Sequence, residues 1–201
     1  MFISTLIMNQ ALLIQFIEAN LPSPRREITE TIVTYFREKQ LAKGDYFLKE
    51  GQLSDEYLFL ESGFIRAFTT DPGGNDITTN FYSANQVVFE VSSFFTRSKT
   101  KETLQALTDC SGSVLSYTEL NLLFHTIPEF REFGRSMLVK GFVSLKQRTL
   151  SLINETAEER YASLINSKQE VFQYAALKHI ASYLGITDTS LSRIRREFQK
   201  K

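Results

Sequence analysis

Apolar side chains in the first part of the chain recur every three or four positions, which is the spacing of amphipathic helices. A first set predicts a helix with one apolar face, formed by Leu12, Leu13, Phe16 and Ile17. A second set continues the helical pattern to about residue 40, with Ile28, Ile32, Val33 and Phe36. Pro22 and Pro24 separate the two helices, because proline interrupts helical hydrogen bonding.

From residue 41 to residue 116 the pattern changes to short apolar runs that are broken by turn residues. Six runs predict β-strands, at 46–48, 57–61, 64–70, 77–82, 87–89 and 114–117. The segment 71–76 reads Asp-Pro-Gly-Gly-Asn-Asp, so the third and fourth runs are expected to form a hairpin around it. Short strands at this spacing predict a closed or rolled sheet, which leaves few edges exposed.

Helical spacing returns after residue 116. Ser116 followed by Glu119 is a capping-box pattern, which predicts a short helix through Phe124. A long helix is predicted from Pro128 to about residue 154. It has two apolar stripes, one with Phe130, Phe133 and Met137 and one with Leu138, Phe142, Leu145, Thr149 and Leu152. We expect one stripe to dock on the β-domain and the other to pair with a second subunit, as in a coiled coil. Alternatively, both stripes belong to the core of one chain.

The segment 177–194 has the pattern of two short helices that cross steeply over a tight turn. Ala181 is small enough to lie where the helices touch, and Gly185 can take the positive φ that the turn requires. Thr187 is placed to cap the second helix. Apolar residues are expected to fill the space between the helices: Ile180, Leu184, Ile186, Leu191 and Ile194. This pattern is typical of a DNA-binding helix-turn-helix, although helical hairpins with a glycine turn also occur in other proteins.

The outward face of the second helix is polar and basic, as expected of a helix that enters the major groove of DNA. Arg193 can donate two hydrogen bonds to a guanine, and Thr189 and Ser192 can reach base edges or phosphates. Asp188 either accepts a hydrogen bond from cytosine or stabilises the positive end of the helix dipole. Phosphate contacts are expected from Lys178, Ser190 and Arg195. The complete candidate DNA-binding set is Lys178, Thr187, Asp188, Thr189, Ser190, Ser192, Arg193, Arg195 and Arg196.

The distribution of charge favours a DNA-binding C-terminal end, even though the formal net charge of the chain is zero. Residues 1–128 hold 10 Lys and Arg against 15 Asp and Glu, whereas residues 176–201 hold 6 against 2. An acidic body with a basic end fits a small nucleic-acid-binding module joined to another domain. A solvated terminal run of charge is the alternative explanation.

The residue types that carry redox, metal and catalytic chemistry are scarce. Cys110 is the only cysteine, and His125 and His179 are the only histidines. We therefore expect no disulfide framework, no cysteine-ligated iron–sulfur cluster, no haem and no zinc site. An enzyme built on a cupin-like β-roll would need several clustered metal ligands, so we do not expect an enzyme.

The N-terminal segment predicts neither a signal peptide nor a membrane span. No lysine or arginine precedes Arg25, and Asn9 and Gln10 end the apolar run well before it could cross a bilayer. We therefore expect a cytoplasmic protein with no membrane partner. Translation starts at Met1 or at Met8, where the helical pattern begins.

The predicted elements resemble the cyclic-AMP receptor/Fnr (Crp/Fnr) family of bacterial transcription regulators over nearly the whole chain. The resemblance rests on Ser-Gly-Phe-Ile-Arg at 62–66, Ile-Pro-Glu at 127–129, Glu-Arg at 159–160 and the segment 180–196. The stretches 157–164 and 180–187 are especially similar to the branch found in Bacteroidetes-like bacteria. The resemblance implies a homodimer that binds a roughly palindromic operator in double-stranded DNA and contacts RNA polymerase.

The resemblance also implies an α+β fold in three parts. These are N-terminal helices with a cyclic-nucleotide-binding-like β-roll (a jelly roll) at 1–127, a dimerisation helix at 128–155 and a helix-turn-helix domain at 156–201. In the family the recognition helix is often followed by a two-stranded wing. Here the sequence given ends at Lys201, so we expect a truncated wing, with Lys200 and Lys201 replacing part of its contacts.

The resemblance places an effector pocket in the β-roll and against the dimer helix. The matching positions are Glu90, Val91, Ser92, Thr100 and Lys101 in the roll and Leu145 and Lys146 on the helix. Cyclic AMP is not expected to bind, because Phe89 adds bulk, no arginine fork is present and Glu102 would repel the phosphate. The roll then holds another effector or none, and Glu90 is either a ligand group or a structural carboxylate. A regulatory module that acts through protein partners rather than DNA is the alternative function.

Overall fold

The computed structural model of the chain describes the backbone of residues 2–199 and the side chains of residues 10–199, so Lys200 and Lys201 lie outside the described residues. Within this part, the helices are α1 (Phe2–Ala19), α2 (Arg26–Val33), α3 (Val91–Thr96), α4 (Tyr117–Thr126), α5 (Pro128–Asn154), α6 (Ala157–Ser167), α7 (Val171–Tyr174), α8 (Leu177–Leu184) and α9 (Asp188–Phe198). The strands are β1 (Arg37–Leu41), β2 (Tyr46–Leu48), β3 (Glu56–Ser62), β4 (Ile65–Thr70), β5 (Asp76–Tyr82), β6 (Gln86–Val88), β7 (Thr103–Ala106) and β8 (Cys110–Ser116).

The strands form two four-stranded antiparallel sheets, with the orders β1-β8-β3-β6 and β2-β7-β4-β5. Non-consecutive strands lie side by side in both sheets, as in a jelly roll. The predicted hairpin is confirmed, since β4 pairs with β5 from Ile65–Tyr82 to Thr70–Asp76. Its turn is held by the carboxylate of Asp71, which accepts hydrogen bonds from the N–H groups of Gly73 and Asn75, both at 2.8 Å. The expected α+β class and the order of roll, long helix and C-terminal helices are therefore confirmed.

Two strands, β1 and β7, could not be predicted from the hydrophobic pattern, and β1 lies where the sequence predicted a helix. The helical pattern was expected to reach about residue 40, but α2 ends at Val33 and residues 37–41 form β1. Most of β1 is exposed and only Leu41 is buried, so the strand is specified by its pairing with β8 rather than by alternation. The four residues of β7 alternate, with Leu104 and Ala106 buried, but the run is too short to stand out.

A first apolar core lies between the sheet that contains β3 and β8 and the helices at both ends of the roll. It receives Leu13 and Ile17 from α1, whereas Leu12 is 39% exposed and does not belong to the predicted apolar face. It also receives Phe130 and Phe133 from α5. The stripe of α5 that contains these phenylalanines therefore docks on the β-domain, as predicted. A second core, which includes Leu58, Ile65 and Leu104, fills the interior of the roll.

The other stripe of α5 is not covered by this chain. Leu138 is 45% exposed, Phe142 69%, Leu145 63% and Leu152 43%, and Thr149 is also exposed. Contiguous exposed apolar surface of this kind marks an interaction site in a folded protein. The alternative in which both stripes belong to one chain's core is therefore wrong for the described residues.

A third core joins the roll to the C-terminal helices. Phe64 and Phe81 of the roll are buried in one cluster with Leu184, Leu191 and Ile194 of α8 and α9. The helix-turn-helix is thus packed against the outer side of the β4–β5 sheet of its own chain. The contact fixes the direction in which the remaining face of α9 points.

Gly63, which links β3 to β4, is required by close packing as well as by backbone conformation. Its φ is +100°, and a Cβ at this position would lie 2.6 Å from the carbonyl oxygen of Asp109 and 2.5 Å from Sγ of Cys110. Real Cβ atoms do not approach backbone atoms this closely, so a side chain here must displace the β8 end of the roll.

We expect Gly63→Ala to destabilise the chain more than Gly44→Ala. Both glycines have positive φ, so alanine strains the backbone by about 1–2 kcal/mol at each position. At Gly44, unlike Gly63, a Cβ meets nothing within 4 Å. Overpacking at Gly63 adds about 1–3 kcal/mol. Urea unfolding followed by circular dichroism measures both losses, and equal losses would show that the contact with Asp109 and Cys110 does not matter.

Candidate DNA-binding surface and effector pocket

The turn between α8 and α9 has the geometry that its residue types predict. Gly185 ends α8 in the left-handed conformation with φ +68°, and the N–H of Ile186 donates to the carbonyl of Ala181 at 3.0 Å. Thr187 then caps α9, because its hydroxyl accepts a hydrogen bond from the N–H of Ser190 at 3.2 Å. The predicted helix-turn-helix is therefore confirmed as a local structure.

The inner face of this motif is fully apolar. Ala181 is 1% exposed at the crossing point of the helices, and the residues around it are 3% exposed or less: Ile180, Leu184, Leu191 and Ile194. Ile186, which was predicted in the same set, is half-buried and packs at the edge. Since every inward position of α9 is used in this way, its remaining positions must face away from the chain.

The outward face of α9 carries polar and basic residues that are free to meet a partner. The exposed residues of α9 are Asp188, Thr189, Ser192, Arg193, Arg196 and Glu197, and Lys178 is exposed at the start of α8. The side chain of Arg193 is 68% exposed, and it lies 4.0 Å from the carboxylate of Glu158. An exposed ion pair at this distance is worth little, so a DNA base can replace it.

Three of the predicted DNA contacts, Thr187, Thr189 and Ser190, also contact one another at the start of α9. Ser190 is half-buried, and its hydroxyl lies 3.0 Å from the hydroxyl of Thr187, which is also 3.0 Å from that of Thr189. Arg195 is half-buried on the side of α9. Asp188 stands in the first turn of α9, where both interpretations of its carboxylate, the cytosine contact and the dipole contact, are sterically possible.

Sequence reasoning missed the polar residues that hold α8 against β5. The hydroxyl of Ser182 donates to Oγ1 of Thr78 at 2.9 Å and accepts from the N–H of Thr78 at 3.0 Å. Arg66, which is 1% exposed, donates from Nε to the same Thr78 oxygen at 2.9 Å. Burial, together with the charges of Arg66 and Lys178, lowers the pKa of His179 on α8 to about 4. Residues 78 and 182 are too far apart in the chain for local pattern to link them.

In the expected effector pocket, Glu90 serves as a helix cap. Its two carboxylate oxygens accept hydrogen bonds from the N–H groups of Ser92, at 2.9 Å, and Ser93, at 2.7 Å, at the start of α3. Val91 is 49% exposed and Ser92 is exposed, so both lie on the outer side of this short helix. The structural interpretation of Glu90 is therefore the one that its contacts support.

The other pocket positions are occupied by protein contacts or lie open to solvent. The hydroxyl of Thr100, which is 3% exposed, accepts from the N–H of Glu102 at 2.9 Å. Burial, together with the charge of Glu90, raises the pKa of the Glu102 carboxyl. Lys101 is exposed. Leu145 and Lys146 are exposed on α5, and within the described part of the chain Lys146 forms no hydrogen bond or ion pair.

The described residues contain neither a cluster of metal ligands nor a helix that could span a membrane. Between residues 2 and 199, no three His, Cys, Asp or Glu side chains lie together as a group that could hold a metal ion. In the same part of the chain, no helix has the length and apolar character needed to cross a membrane.

Comparison with known proteins agrees with this architecture. Residues 38–126 match the family model described as cyclic nucleotide-binding domain. Electron transport regulator A of Shewanella oneidensis is 24% identical over 176 residues, which cover 82% of this chain and 69% of that protein. The transcriptional activator protein Anr of Pseudomonas aeruginosa is 24% identical over 175 residues, which cover 82% and 71% of the two chains.

The solved structure of FixK2 from Bradyrhizobium japonicum superimposes on this chain with a TM-score of 0.70. The alignment has 16% sequence identity and covers 82% of this chain and 85% of FixK2. At this level of identity the likeness defines the fold alone. Residues 38–126 thus match a domain of the cyclic nucleotide-binding type, and 82% of the chain shares the fold of FixK2.

Proposed function

We propose that this protein is a sequence-specific, DNA-binding transcription regulator that acts as a homodimer. The observation that carries the proposal is the outward face of α9, which is polar, basic and exposed while the opposite face is buried in the third core. A helix held in this way can enter the major groove without disturbing the fold. Relatives named as transcriptional activators support the same function.

In this proposal the residues of the helix-turn-helix divide into base contacts and phosphate contacts. Arg193 makes a bidentate contact to a guanine, and Thr189 and Ser192 contact neighbouring base edges. Phosphate contacts position the helix without reading the sequence, and they come from Lys178, Ser190, Arg195 and Arg196. The excess of positive charge in residues 176–201 supplies the electrostatic attraction to DNA.

The partner on the exposed stripe of α5 is a second copy of the chain. A palindromic operator requires two recognition helices related by a twofold axis, and a long helix with one uncovered apolar stripe provides an isologous contact. The stripe consists of Leu138, Phe142, Leu145, Thr149 and Leu152. Domain limits of 1–127, 128–155 and 156–201 follow from this division of roles.

The β-roll serves as a sensor-type domain, but its residues do not fit cyclic AMP. The carboxylate of Glu90 is occupied by the start of α3, and the half-buried carboxyl of Glu102 adds a second acidic group whose pKa is raised by burial and by the charge of Glu90. No arginine fork is available at Thr100 and Lys101 for a cyclic phosphate. We therefore propose that the roll responds to another effector or to none.

The remaining parts of the proposal concern the protein's surroundings. A regulator of this type acts in the cytoplasm, where duplex operator DNA and RNA polymerase, its proposed second partner, are found. The sequence at 157–164 and 180–187 suggests the branch of the family found in Bacteroidetes-like bacteria.

We expect Arg193→Ala to weaken binding to a specific operator by about 1–3 kcal/mol and to relax one base preference. The operator is first selected from a random DNA pool with the unmodified protein, and affinities are then measured by gel shift. Arg135→Ala is a matched control, because the side chain of Arg135 on α5 is also 68% exposed. Equal affinity of the two variants would contradict the assignment of α9.

The same titrations distinguish DNA binding from action through a protein partner. Specific binding must weaken steeply as salt rises, because each neutralised phosphate releases counterions. DNA association that is weak and insensitive to salt would favour the regulatory module that binds proteins.

We expect Phe142→Glu to convert the dimer to a monomer, because two carboxylates would face each other in an apolar contact. Analytical ultracentrifugation at micromolar concentration measures the change, and circular dichroism checks the fold. Leu53→Glu is the control, since Leu53 is an exposed apolar residue on the roll with 45% exposure. A dimer that survives Phe142→Glu would show that α5 is not the interface.

We expect no heat of binding when cyclic AMP is titrated into the protein at millimolar concentration. The reason is the absence of an arginine fork and the presence of Glu102 beside Thr100 and Lys101, the positions that match the phosphate-binding pair of the family. Isothermal titration calorimetry makes the measurement. An affinity in the micromolar range would overturn the interpretation of the roll.

A further inference from the structure

A polar cleft lies between the C-terminal end of α5, α6 and the end of α8. Its volume is about 510 Å³, and three cationic side chains line it: Arg148, Arg160 and Lys168. Glu155 is the one carboxylate of the lining, and it is engaged by the hydroxyl of Ser151. Three cations against one carboxylate leave this cleft with an excess of two positive charges.

The three cations are held in place by carbonyl groups rather than by carboxylates. Nη2 of Arg148 donates to the carbonyl of Tyr183 at 2.9 Å, and its guanidinium lies 3.7 Å from the centre of the Tyr183 ring. Nε of Arg160 donates to the carbonyl of Leu184 at 3.0 Å. Nζ of Lys168 donates to the carbonyl of Phe81 at 3.2 Å. Among residues 10–199, none of the three forms an ion pair with a carboxylate within 4.0 Å.

This arrangement places like charges near one another in a partly desolvated space. Burial, and after it the charge of Arg160, lowers the pKa of Arg148. Burial, and after it the charge of Arg148, lowers the pKa of Lys168. The carbonyls of Tyr183 and Leu184 belong to the last turn of α8 and offer only partial negative charge. An anion in the cleft would supply the full charge that these groups lack.

We propose that this cleft binds a compact, multiply charged oxyanion, and that the pyrophosphate group is the chemistry it recognises. Arginine guanidinium groups donate in the fork geometry that phosphate oxygens accept, and the hydroxyl of Ser163 adds a further donor. The volume lies within the range of small-molecule sites in proteins. The site goes beyond the proposed function, because it is separate from both α9 and the roll interior.

An anion bound in the cleft would link α5 to the C-terminal helices. Arg148 belongs to α5, which carries the exposed apolar stripe, and Arg160 and Tyr183 belong to the C-terminal helices. An anion that binds all three sides fixes the angle between α5 and the helix-turn-helix. It therefore selects one separation of the two recognition helices in a dimer.

The test is calorimetric titration of the full chain with sodium pyrophosphate at about 0.15 M salt, where exposed charges are screened. Lys168→Gln should weaken binding about tenfold, as expected for loss of one hydrogen bond to a charged group. Ser163→Glu should weaken binding more than Lys168→Gln does, because the new carboxylate halves the excess of positive charge and repels the anion, and this exposed position tolerates the change without loss of fold. Lys99→Gln changes an exposed lysine of the roll outside the lining, and this variant should bind as the unmodified protein does.

The absence of saturable binding, or equal affinity in Ser163→Glu and Lys99→Gln, would overturn the proposal. Parallel titrations with ADP and adenosine show which part of a nucleotide is recognised. ADP should bind through its diphosphate group, and adenosine, which has no phosphate, should not bind. Binding of adenosine alone would also contradict the proposal. A failed gel shift with intact pyrophosphate binding would contradict the DNA-binding function and leave the cleft assignment standing. Displacement of pyrophosphate by duplex DNA would instead assign these cations to the DNA surface and overturn the proposal.

Discussion

The position of the recognition helix depends on one buried contact, the packing of α8 on β5. The rings of Phe81 and Tyr183 lie 5.1 Å apart across this contact, and Thr78 and Ser182 exchange two hydrogen bonds beside them. The same core contains Leu191 of α9. The roll and the DNA-binding helices therefore share one hydrophobic interior, and α9 cannot turn without either opening that interior or carrying β5 with it.

Arg66 makes this contact specific. A guanidinium that is 1% exposed is costly unless it is bonded. Here Nε donates to Thr78 and Nη1 to Asp76 at 3.3 Å, and the ring of Phe68 lies against the group, whereas Nη2 has no hydrogen-bond partner among the described residues. Sliding α8 along β5 would take Ser182 away from Thr78 and disturb the acceptor that Arg66 uses. An apolar interface alone would tolerate such a shift, whereas this polar network permits one register.

The elements that could be predicted from the sequence are those whose structure is specified by residues close together in the chain. The α8–α9 turn was predicted because Gly185 and Thr187 each satisfy a requirement of their own backbone position. β1 was missed because it is mostly exposed, shows no alternation, and is specified by pairing with β8, about 70 residues away along the chain. The bond between Thr78 and Ser182 was beyond prediction for the same reason. The outward face of α9 could be predicted from helical periodicity alone. The capping role of Glu90 could not, because it depends on the backbone geometry at the start of α3.

Two helices of this chain keep a face that the chain itself does not bury, and the two faces differ in chemistry. The free stripe of α5 is apolar, with Phe142 and Leu145 more than half exposed, so only another protein surface can desolvate it favourably. The free face of α9 presents Arg193 and Arg196, whose guanidinium groups need hydrogen-bond acceptors and negative charge. A protein partner on the α5 stripe would bury its apolar side chains, and DNA at the α9 face would supply the acceptors and the negative charge that its arginines need. The cationic cleft lies between α5, α6 and the end of α8, and α8 shares its core with α9, so a ligand that fills the cleft acts on the geometry that relates the two partners.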